Sequence, residues 1–338
     1  MNGFIEEVCT QGVLLEKCID IYRGADAGII DRIAAAFRER SMNKVIFTGM
    51  GSSLYAADAV LGYLTQRGIL ALSFSAFELS RYQFNHIDER TLVVVISQSG
   101  KSFEAVEIAQ KARAVTTVVG IHNADESPLA GCCDYMLRIH ADKEYSITNK
   151  TFLLTMFILN VLAHKLAGEL DELFYRECRD AASWISDWLR DWEENSRLLY
   201  QFADRTLLFD LLANDASLAT AKQLSLAYRE GLHNCTAVWE CADYAHGQYH
   251  SSKLGGGYLA QMFFPSFEDG TKEMKMKDYI LDHGGKVMLY TADPVKAEEQ
   301  MLVVLLPRLR ASLMPLAESV AAETLLGMLL GQDWVKDH

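Results

Sequence analysis

The sequence predicts an α/β fold made of two three-layer α/β/α domains with parallel sheets, arranged in tandem after a helical lead-in. In the first half of the chain, apolar runs of strand length alternate with amphipathic stretches of helical length. After a charged helical stretch, the order strand, helix, strand, helix, strand starts again. The 338 residues are enough for two such domains, and five prolines with no low-complexity segment argue against a flexible tether.

We expect an N-terminal helical segment at residues 1–40 and a first domain at residues 41–168. Strands are predicted where apolar and β-branched residues run together, at residues 44–50, 69–75, 91–97, 116–121 and 135–141. Helices are predicted between the strands and after the last one, at residues 51–68, from 76, at 101–114 and at 148–166. This alternation is typical of a parallel sheet that is covered by helices on both faces.

A helical connector is expected at residues 169–200, followed by a second domain at residues 201–338. Trp184, Trp188 and Trp192 recur every four residues, which favours an amphipathic helix packed between the domains over an aromatic recognition stripe. Strands are predicted in the second domain at residues 206–213, 257–266, 285–292 and 301–307. Helices are predicted there at residues 217–230, 269–284 and 314–331.

Composition indicates a globular protein, and the lack of a recognisable targeting signal predicts a cytoplasmic location. Half of the residues are hydrophobic and the mean hydropathy is +0.03. The longest apolar run starts at Phe152 and is interrupted by Asn160 and His164, which predicts that it is too short to span a bilayer. The N-terminus has no basic region before an apolar core, so no signal peptide is expected. The seven cysteines contain no Cys-x-x-Cys pair, which favours neither a disulfide framework nor a zinc site.

The net charge of −13 restricts the ligands that the protein can attract. Nucleic-acid binding needs a concentrated basic surface, and the sequence has none, so neither a nucleic acid nor a membrane is expected as a partner. An anionic ligand would have to be held locally by backbone N–H groups, hydroxyls and helix ends, against the field of the whole chain.

Small hydrogen-bonding residues stand at three strand ends of the first half, each close to the start of a helix. They are Gly51-Ser52-Ser53, Ser97-Gln98-Ser99-Gly100 with Ser102, and Thr148-Asn149-Lys150. Any one of these could be an ordinary N-cap, because Ser and Thr are favoured there. Three together favour a phosphate site built from hydroxyls and helix ends, which is neither a Walker motif nor Gly-x-Gly-x-x-Gly.

These segments resemble a known family. "GSSLYAA", "SQSGKSFEAVEIA" and "ITNKTFLLTMFIL" are similar to the three phosphosugar-binding segments of the sugar isomerase (SIS) fold. The tandem pattern resembles the isomerase part of glucosamine-6-phosphate synthase and its deaminase and deglycase relatives. The resemblance implies two SIS domains and a small-molecule sugar phosphate as partner. It also implies that one set of residues holds the phosphate group: Ser52, Ser53, Ser97, Gln98, Ser99, Ser102 and Thr148.

The candidate catalytic residues come from the second half. Glu230 ends a predicted helix, and His246 precedes a glycine sixteen residues later, which is the family's spacing. The resemblance implies that the glutamate moves a proton between sugar carbons and that the histidine assists ring opening. It also implies a homodimer whose active site is shared between subunits. Without the resemblance, both residues would be interpreted as ordinary structural or solvated side chains.

A metal site and a cofactor are not expected. His246, His250 and Asp243 have the spacing of ligands on one helical face, but Gly247 lies between the histidines and no third ligand is evident. The predicted reaction therefore needs acid–base groups and no cofactor.

The sequence departs from the family pattern at several positions. Ala227 stands where the synthases have a lysine, Lys336 is not in a matching tail, and Lys101 replaces an acidic residue. "LLANDAS" replaces the glycine-rich first turn of the second domain, so no phosphate site is expected there, and Gln248 replaces a proline. The leading hypothesis is a phosphosugar isomerase-type enzyme, either an isomerase/deaminase or a deglycase that cleaves a fructosamine 6-phosphate. The alternative is a non-catalytic sugar-phosphate sensor or regulator.

Overall fold

Two parallel sheets organise the fold, as the sequence predicts. The computed structural model describes residues 2–124, 126–145, 147–267 and 270–331. The chain divides into two units by its contacts. The first-sheet unit comprises Val13–Glu144 and Thr148–Arg179, and the second-sheet unit comprises Met1–Gly12, Tyr145–Ile147 and Asp180–His338. The predicted helical segment at the N-terminus is therefore divided between the two units.

All five strands predicted for the first half are confirmed. They are β1 Lys44–Gly49, β2 Leu70–Ser75, β3 Thr91–Ile96, β4 Thr117–His122 and β5 Tyr135–Arg138. They pair in parallel in the order β2-β1-β3-β4-β5. Every residue of β3 and β4 is buried, as expected for central strands covered on both faces. The strand order reverses between β1 and β3, and ligands of open α/β sheets bind at such a point.

The second sheet repeats the topology of the first. Its strands are β6 Leu208–Ala213, β7 Thr236–Glu240, β8 Tyr258–Phe263, β9 Lys286–Thr291 and β10 Met301–Leu305. The parallel order β10-β9-β8-β6-β7 is the order of the first sheet read from the other edge. The predicted repetition of one α/β plan is thus confirmed. The edge strand β7 was not predicted, because only one of its five residues is fully buried and it gives no continuous apolar run.

The described residues form fourteen α-helices. Their bounds are α1 Gly3–Val8, α2 Gln11–Arg23, α3 Ala27–Glu39, α4 Ser52–Tyr55, α5 Asp58–Thr65, α6 Ala76–Arg81, α7 Phe103–Arg113, α8 Lys150–Ala167, α9 Glu172–Arg190, α10 Trp192–Ala203, α11 Leu218–Leu232, α12 Cys241–Tyr244, α13 Lys272–Asp282 and α14 Met314–Gly331. The single helix predicted at residues 51–68 is split into α4 and α5. Hydrogen bonds from the N–H of Ala57 to Leu54 and from that of Val60 to Ala57 tighten the chain between them.

Two helices correct the expectation that no segment is long enough to span a bilayer. Among the described residues, Lys150–Ala167 and Ala311–Gly331 are both long and apolar enough by length and composition. In the first helix, 83% of the apolar stretch is buried inside the protein, and in the second helix 89%. Burial in the protein core accounts for their apolar sequences.

The tryptophans of the predicted connector pack within the second-sheet unit. The rings of Trp184 and Trp188 stack with centroids 5.3 Å apart. The indole N–H of Trp188 donates a hydrogen bond to the Thr324 hydroxyl of α14 at 3.4 Å. These contacts support a packing role for this stretch and not an exposed aromatic surface.

Candidate functional site

The first strand end of the candidate site is the end of β1, which lies close to the end of β3. A Cβ atom at Gly49 would lie 2.7 Å from the carbonyl oxygen of Ile96, the last residue of β3, so a side chain there would separate the two strand ends. Gly51 has a φ of +53°, which favours glycine. Ser52 and Ser53 follow directly as the half-buried first residues of α4. Glycines 49 and 51 thus place two hydroxyls at the switch point of the sheet.

The second strand end, the Ser97–Gly100 loop, is fixed by backbone hydrogen bonds. The N–H of Ser97 donates to Ile121, that of Gly100 to Ser97, and that of Asn123 to Gln98, at 2.9 to 3.0 Å. Gly100 has a φ of +64°, and a Cβ there would lie 2.3 Å from the Ser127 hydroxyl. No larger residue fits at this position without a shift of its neighbours. These hydrogen bonds and the close contact at Gly100 restrain the backbone of the loop.

Ser102 occupies the N-cap position of α7 but does not cap the helix with its side chain. Its hydroxyl lies 3.2 Å from the hydroxyl of Ser97, which is almost fully buried. Ordinary caps exist elsewhere in the chain, where Ser75 accepts from the N–H of Glu78 and Thr271 from that of Met274. Ser102 therefore leaves the first-turn N–H groups of α7 to another acceptor, and these groups attract anions.

The neighbouring residues add further polar groups to the loop. The Ser99 hydroxyl accepts a hydrogen bond from the N–H of Lys101 at 3.2 Å. Ser99 is exposed and Gln98 is half-buried, so both are reachable from solvent. Together with Ser97 and Ser102, they place hydroxyl and amide groups around the start of α7.

At the third strand end, a carboxylate of the protein itself occupies the start of α8. Glu144 accepts hydrogen bonds from the N–H groups of Asn149 and Thr151, at 3.0 and 3.1 Å, and from the Thr151 hydroxyl at 2.6 Å. The start of α8 is thus engaged by an internal carboxylate, an arrangement that the positive end of a helix favours. Sequence reasoning missed Glu144, because its contact depends on a loop that no short-range motif describes. Thr148 lies in the same turn, and its role in phosphate binding stays a prediction.

Glu230 lies in the last turn of α11, three residues before its cap, His233. Partial burial raises the pKa of its carboxyl group above the ordinary value. Within the described part of the chain, no hydrogen bond or ion pair is seen for Glu230, including with the adjacent Arg229. The next residue, Gly231, packs tightly, since a Cβ there would lie 2.8 Å from Ile147 and 2.9 Å from Leu330. The backbone at this helix end is therefore closely packed, whereas the Glu230 side chain is exposed.

His246 follows the short helix α12 and is exposed. Its N–H donates to the carbonyl of Asp243 at 2.9 Å. The helix is capped by Glu240, whose carboxylate accepts from the N–H groups of Ala242 and Asp243. Gly247 then adopts a φ of +142°, which favours glycine. His250 lies beyond it in a 3₁₀ segment, so the two histidines do not share one helical face.

A buried polar network anchors this loop to the second sheet. The Tyr244 hydroxyl lies 2.6 Å from that of Tyr258, which donates to Asp210 at 2.8 Å. The indole of Trp239 donates to the same carboxylate at 3.3 Å. Burial raises the pKa of Asp210, and the two hydrogen bonds oppose that shift. Tyr244 stands two residues before His246, so the network connects the loop that carries this histidine to strands of the second sheet.

The turn that follows β6, the first strand of the second sheet, carries different polar groups from the turn that follows β1 in the first sheet. The Asn214 side chain donates to Glu273 at 2.7 Å and accepts from the N–H of Cys241 at 3.1 Å. Asp215 has a φ of +47°, and burial raises the pKa of its carboxyl group. Carboxylates at this strand end disfavour a phosphate group. Lys336 lies outside the described residues.

Comparisons with known proteins agree with this geometry. Residues 40–165 match the family model of the SIS domain. Glutamine–fructose-6-phosphate aminotransferase (isomerizing) of Chlamydia caviae is 24% identical over 255 residues, 70% of this chain but 41% of that protein. The C-terminal domain of glucosamine-fructose-6-phosphate aminotransferase from Francisella tularensis has a TM-score of 0.84 at 16% identity, with 98% and 97% of the chains covered. Glucosamine-6-phosphate deaminase from Thermotoga maritima has a TM-score of 0.72 at 17% identity, with 99% and 95% covered.

The chain therefore contains an SIS domain, and the resemblance seen in the sequence is confirmed. At these identities the two solved structures show the fold, which is shared over nearly the whole chain. The alignment covers less than half the length of the Chlamydia relative.

Proposed function

We propose that the protein is an enzyme that acts on an aminosugar phosphate or a fructosamine 6-phosphate, as an isomerase/deaminase or a deglycase. The observation that carries this proposal is the hydroxyl of Ser102, which faces Ser97 and leaves the start of α7 uncapped. The names of the relatives, an isomerizing aminotransferase and a phosphosugar deaminase, agree with this substrate class.

The phosphate group is held without arginine or bulk positive charge. Backbone N–H groups at the start of α7 donate to it, together with the side-chain hydroxyls and the Gln98 amide of a phosphate cradle. The cradle consists of Ser52, Ser53, Ser97, Gln98, Ser99, Ser102 and Thr148. Such a cradle suits a chain with a net charge of −13, because its donors act only at short range.

Glu230 is the base of the proposed reaction. Moving a carbonyl group between C1 and C2 requires a carboxylate that takes a proton from one carbon and returns it to the other. The pKa of Glu230 is raised by partial burial, which strengthens it as a base. Activity should therefore rise as the pH increases through this raised pKa, because only the ionised carboxylate accepts a proton.

His246 assists the opening of the sugar ring, which needs a proton moved from a hydroxyl to the ring oxygen. We further propose that the protein is a cytoplasmic homodimer whose subunits share the active site. We propose that residues 41–168 and 201–338 form two SIS domains. The segment 1–40 precedes the first of them, and the connector 169–200 joins the two.

Substitution of Glu230 with Gln tests the proposal. The variant should bind sugar phosphates as the wild type does, but turnover should fall by at least about a hundredfold, the typical contribution of a general base. Product formation from hexose and aminohexose 6-phosphates and from fructosamine 6-phosphates is the measurement. The control is Glu299→Gln, an exposed glutamate in the same unit. Unchanged turnover in Glu230→Gln would refute the catalytic role.

The second candidate function is a sugar-phosphate sensor, and Ala227 favours it. This residue is buried and apolar where the resembling synthases have a lysine. A sensor would be stabilised by a sugar phosphate and would convert none of them.

A further inference from the structure

His122, the last residue of β4, pairs its side chain with a serine of the loop that follows the strand. The histidine is almost fully buried, with 5% of the residue exposed, and its Nδ1 atom lies 2.9 Å from the hydroxyl oxygen of Ser127. The carbonyl group of His122 accepts a hydrogen bond from the N–H of Ile139 at 2.9 Å. The pair is therefore anchored in a fully buried strand of the first-sheet unit.

The Ser127 side chain makes a second hydrogen bond in addition to its contact with His122. Its oxygen accepts from the N–H of Ala130 at 3.3 Å. A serine hydroxyl can donate one hydrogen bond and accept two, and an imidazole Nδ1 atom can either accept from it or donate to it. The pair is therefore compatible with either protonation state of the ring, and the two contacts together orient the Ser127 side chain.

Ser127 packs directly against Gly100 of the Ser97–Gly100 loop. A Cβ at Gly100 would lie 2.3 Å from the Ser127 hydroxyl oxygen, 2.4 Å from the Ser127 Cβ and 3.4 Å from Nδ1 of His122. The carbonyl group of Gly100 also accepts a hydrogen bond from the N–H of Leu129, two residues after Ser127, at 3.1 Å. The position of the Ser127 side chain thus limits where the backbone of Gly100 can lie.

We propose that His122 is a positioning residue for phosphate binding, which acts through Ser127 on the backbone of Gly100. A loop that is restrained close to its bound conformation loses less conformational freedom on binding, and its affinity is higher for that reason. The inference rests on the proposed function, in which the residues around Gly100 hold the phosphate group. His122 and Ser127 then set the affinity for phosphate without contacting it.

Calorimetric titration with inorganic phosphate and with fructose 6-phosphate measures this effect. Ser127→Ala should weaken binding about fivefold, the effect of losing one ordinary hydrogen bond. His122→Leu should weaken binding by a similar factor, whereas His122→Asn, whose amide can still pair with the Ser127 hydroxyl, should retain most of the affinity. Because the histidine acts through the serine, the double variant Ser127→Ala/His122→Leu should bind no more weakly than Ser127→Ala alone.

Amide hydrogen exchange of the unliganded protein tests the restraint itself. The N–H of Gly100, which donates to the carbonyl group of Ser97 at 2.9 Å, should exchange several-fold faster in Ser127→Ala than in the wild type. The control is Ser80→Ala, which removes a buried hydroxyl that pairs with Lys111 in the same unit. This control variant should change neither the exchange at Gly100 nor the affinity for phosphate.

Three results would overturn the inference. Unchanged exchange at Gly100 in Ser127→Ala would show that the contact does not restrain the loop. Undiminished affinity in His122→Leu would exclude the histidine from this role, and an equal loss in His122→Asn would assign the effect to the volume of the ring. Binding by the wild type with the same affinity in all variants would overturn this inference alone, whereas a wild type that binds neither ligand would refute the proposed phosphate site.

Discussion

Ser102 illustrates how one side chain distinguishes a turn from a binding site. A serine before a helix is expected to accept a hydrogen bond from the first turn, as Ser75 does with the N–H of Glu78 at 3.2 Å. The Ser102 hydroxyl lies instead against Ser97, at the end of a buried strand. The start of α7 and the paired hydroxyls are thus available to one anionic ligand.

This difference predicts opposite behaviour for two alanine variants. Ser75→Ala should lose about 1 kcal/mol in the free energy of unfolding, the usual cost of a lost N-cap, and keep its affinity for fructose 6-phosphate. Ser102→Ala should lose less than about 0.5 kcal/mol of stability and bind fructose 6-phosphate several-fold more weakly. Denaturant unfolding and calorimetry on both variants measure the two quantities. A Ser102→Ala variant that behaves like Ser75→Ala would reduce Ser102 to an ordinary cap.

At the scale of elements, helix α14 is held in the second-sheet unit by a buried carboxyl group. Glu318 is fully buried and accepts hydrogen bonds from Ser217 at 2.8 Å and Thr220 at 3.1 Å, at the start of α11. Burial raises its pKa to about 7, and the two hydrogen bonds only partly oppose that shift. The folded protein therefore holds a proton at Glu318 at pH values where the unfolded chain has lost it.

Stability should consequently fall as the pH rises from about 4.5 to about 7, the ordinary and the folded pKa of this group. The loss attributable to Glu318 is about 3 kcal/mol in the free energy of unfolding, from about 1.4 kcal/mol per pKa unit. Glu318→Gln removes the titration, so the variant should be more stable than the wild type at pH 8 and show a flatter profile. Denaturant unfolding at pH 5 and pH 8 checks this. Parallel profiles for the two proteins would contradict the assignment.

At the scale of the whole molecule, the two sheets share one strand order but differ at their strand ends. In the first sheet, Gly49 and Gly100 let strand ends and loops approach closely, and hydroxyls surround the start of α7. In the second, Asn214, Asp215 and Glu273 fill the corresponding turn with amide and carboxyl groups. The same topology thus carries hydroxyl groups at the strand ends of one sheet and carboxyl groups at those of the other.

The sequence predicts the parts of this arrangement that depend on local pattern. The central strands are continuous runs of buried β-branched residues, so they are recognisable without tertiary information. Strand β7 is short and half-buried, and its place is set by pairing with β6, which a single segment does not reveal. The same holds for Glu144 at the start of α8 and for the orientation of Ser102, because each depends on how a loop folds back on itself within a few residues, which no residue pattern specifies. The strand ends were predictable from the sequence, whereas the hydrogen bonds formed at those ends were not.

The central claim, that the first-sheet unit binds the phosphate group of a sugar phosphate, is tested most directly by melting temperatures. The protein is heated with hexose and aminohexose 6-phosphates and with the same sugars lacking phosphate, as wild type and as Ser99→Leu. We predict that at least one 6-phosphate raises the melting temperature of the wild type, that the free sugars do not, and that Ser99→Leu loses the effect. Equal shifts with phosphorylated and free sugars, or an undiminished shift in Ser99→Leu, would contradict it.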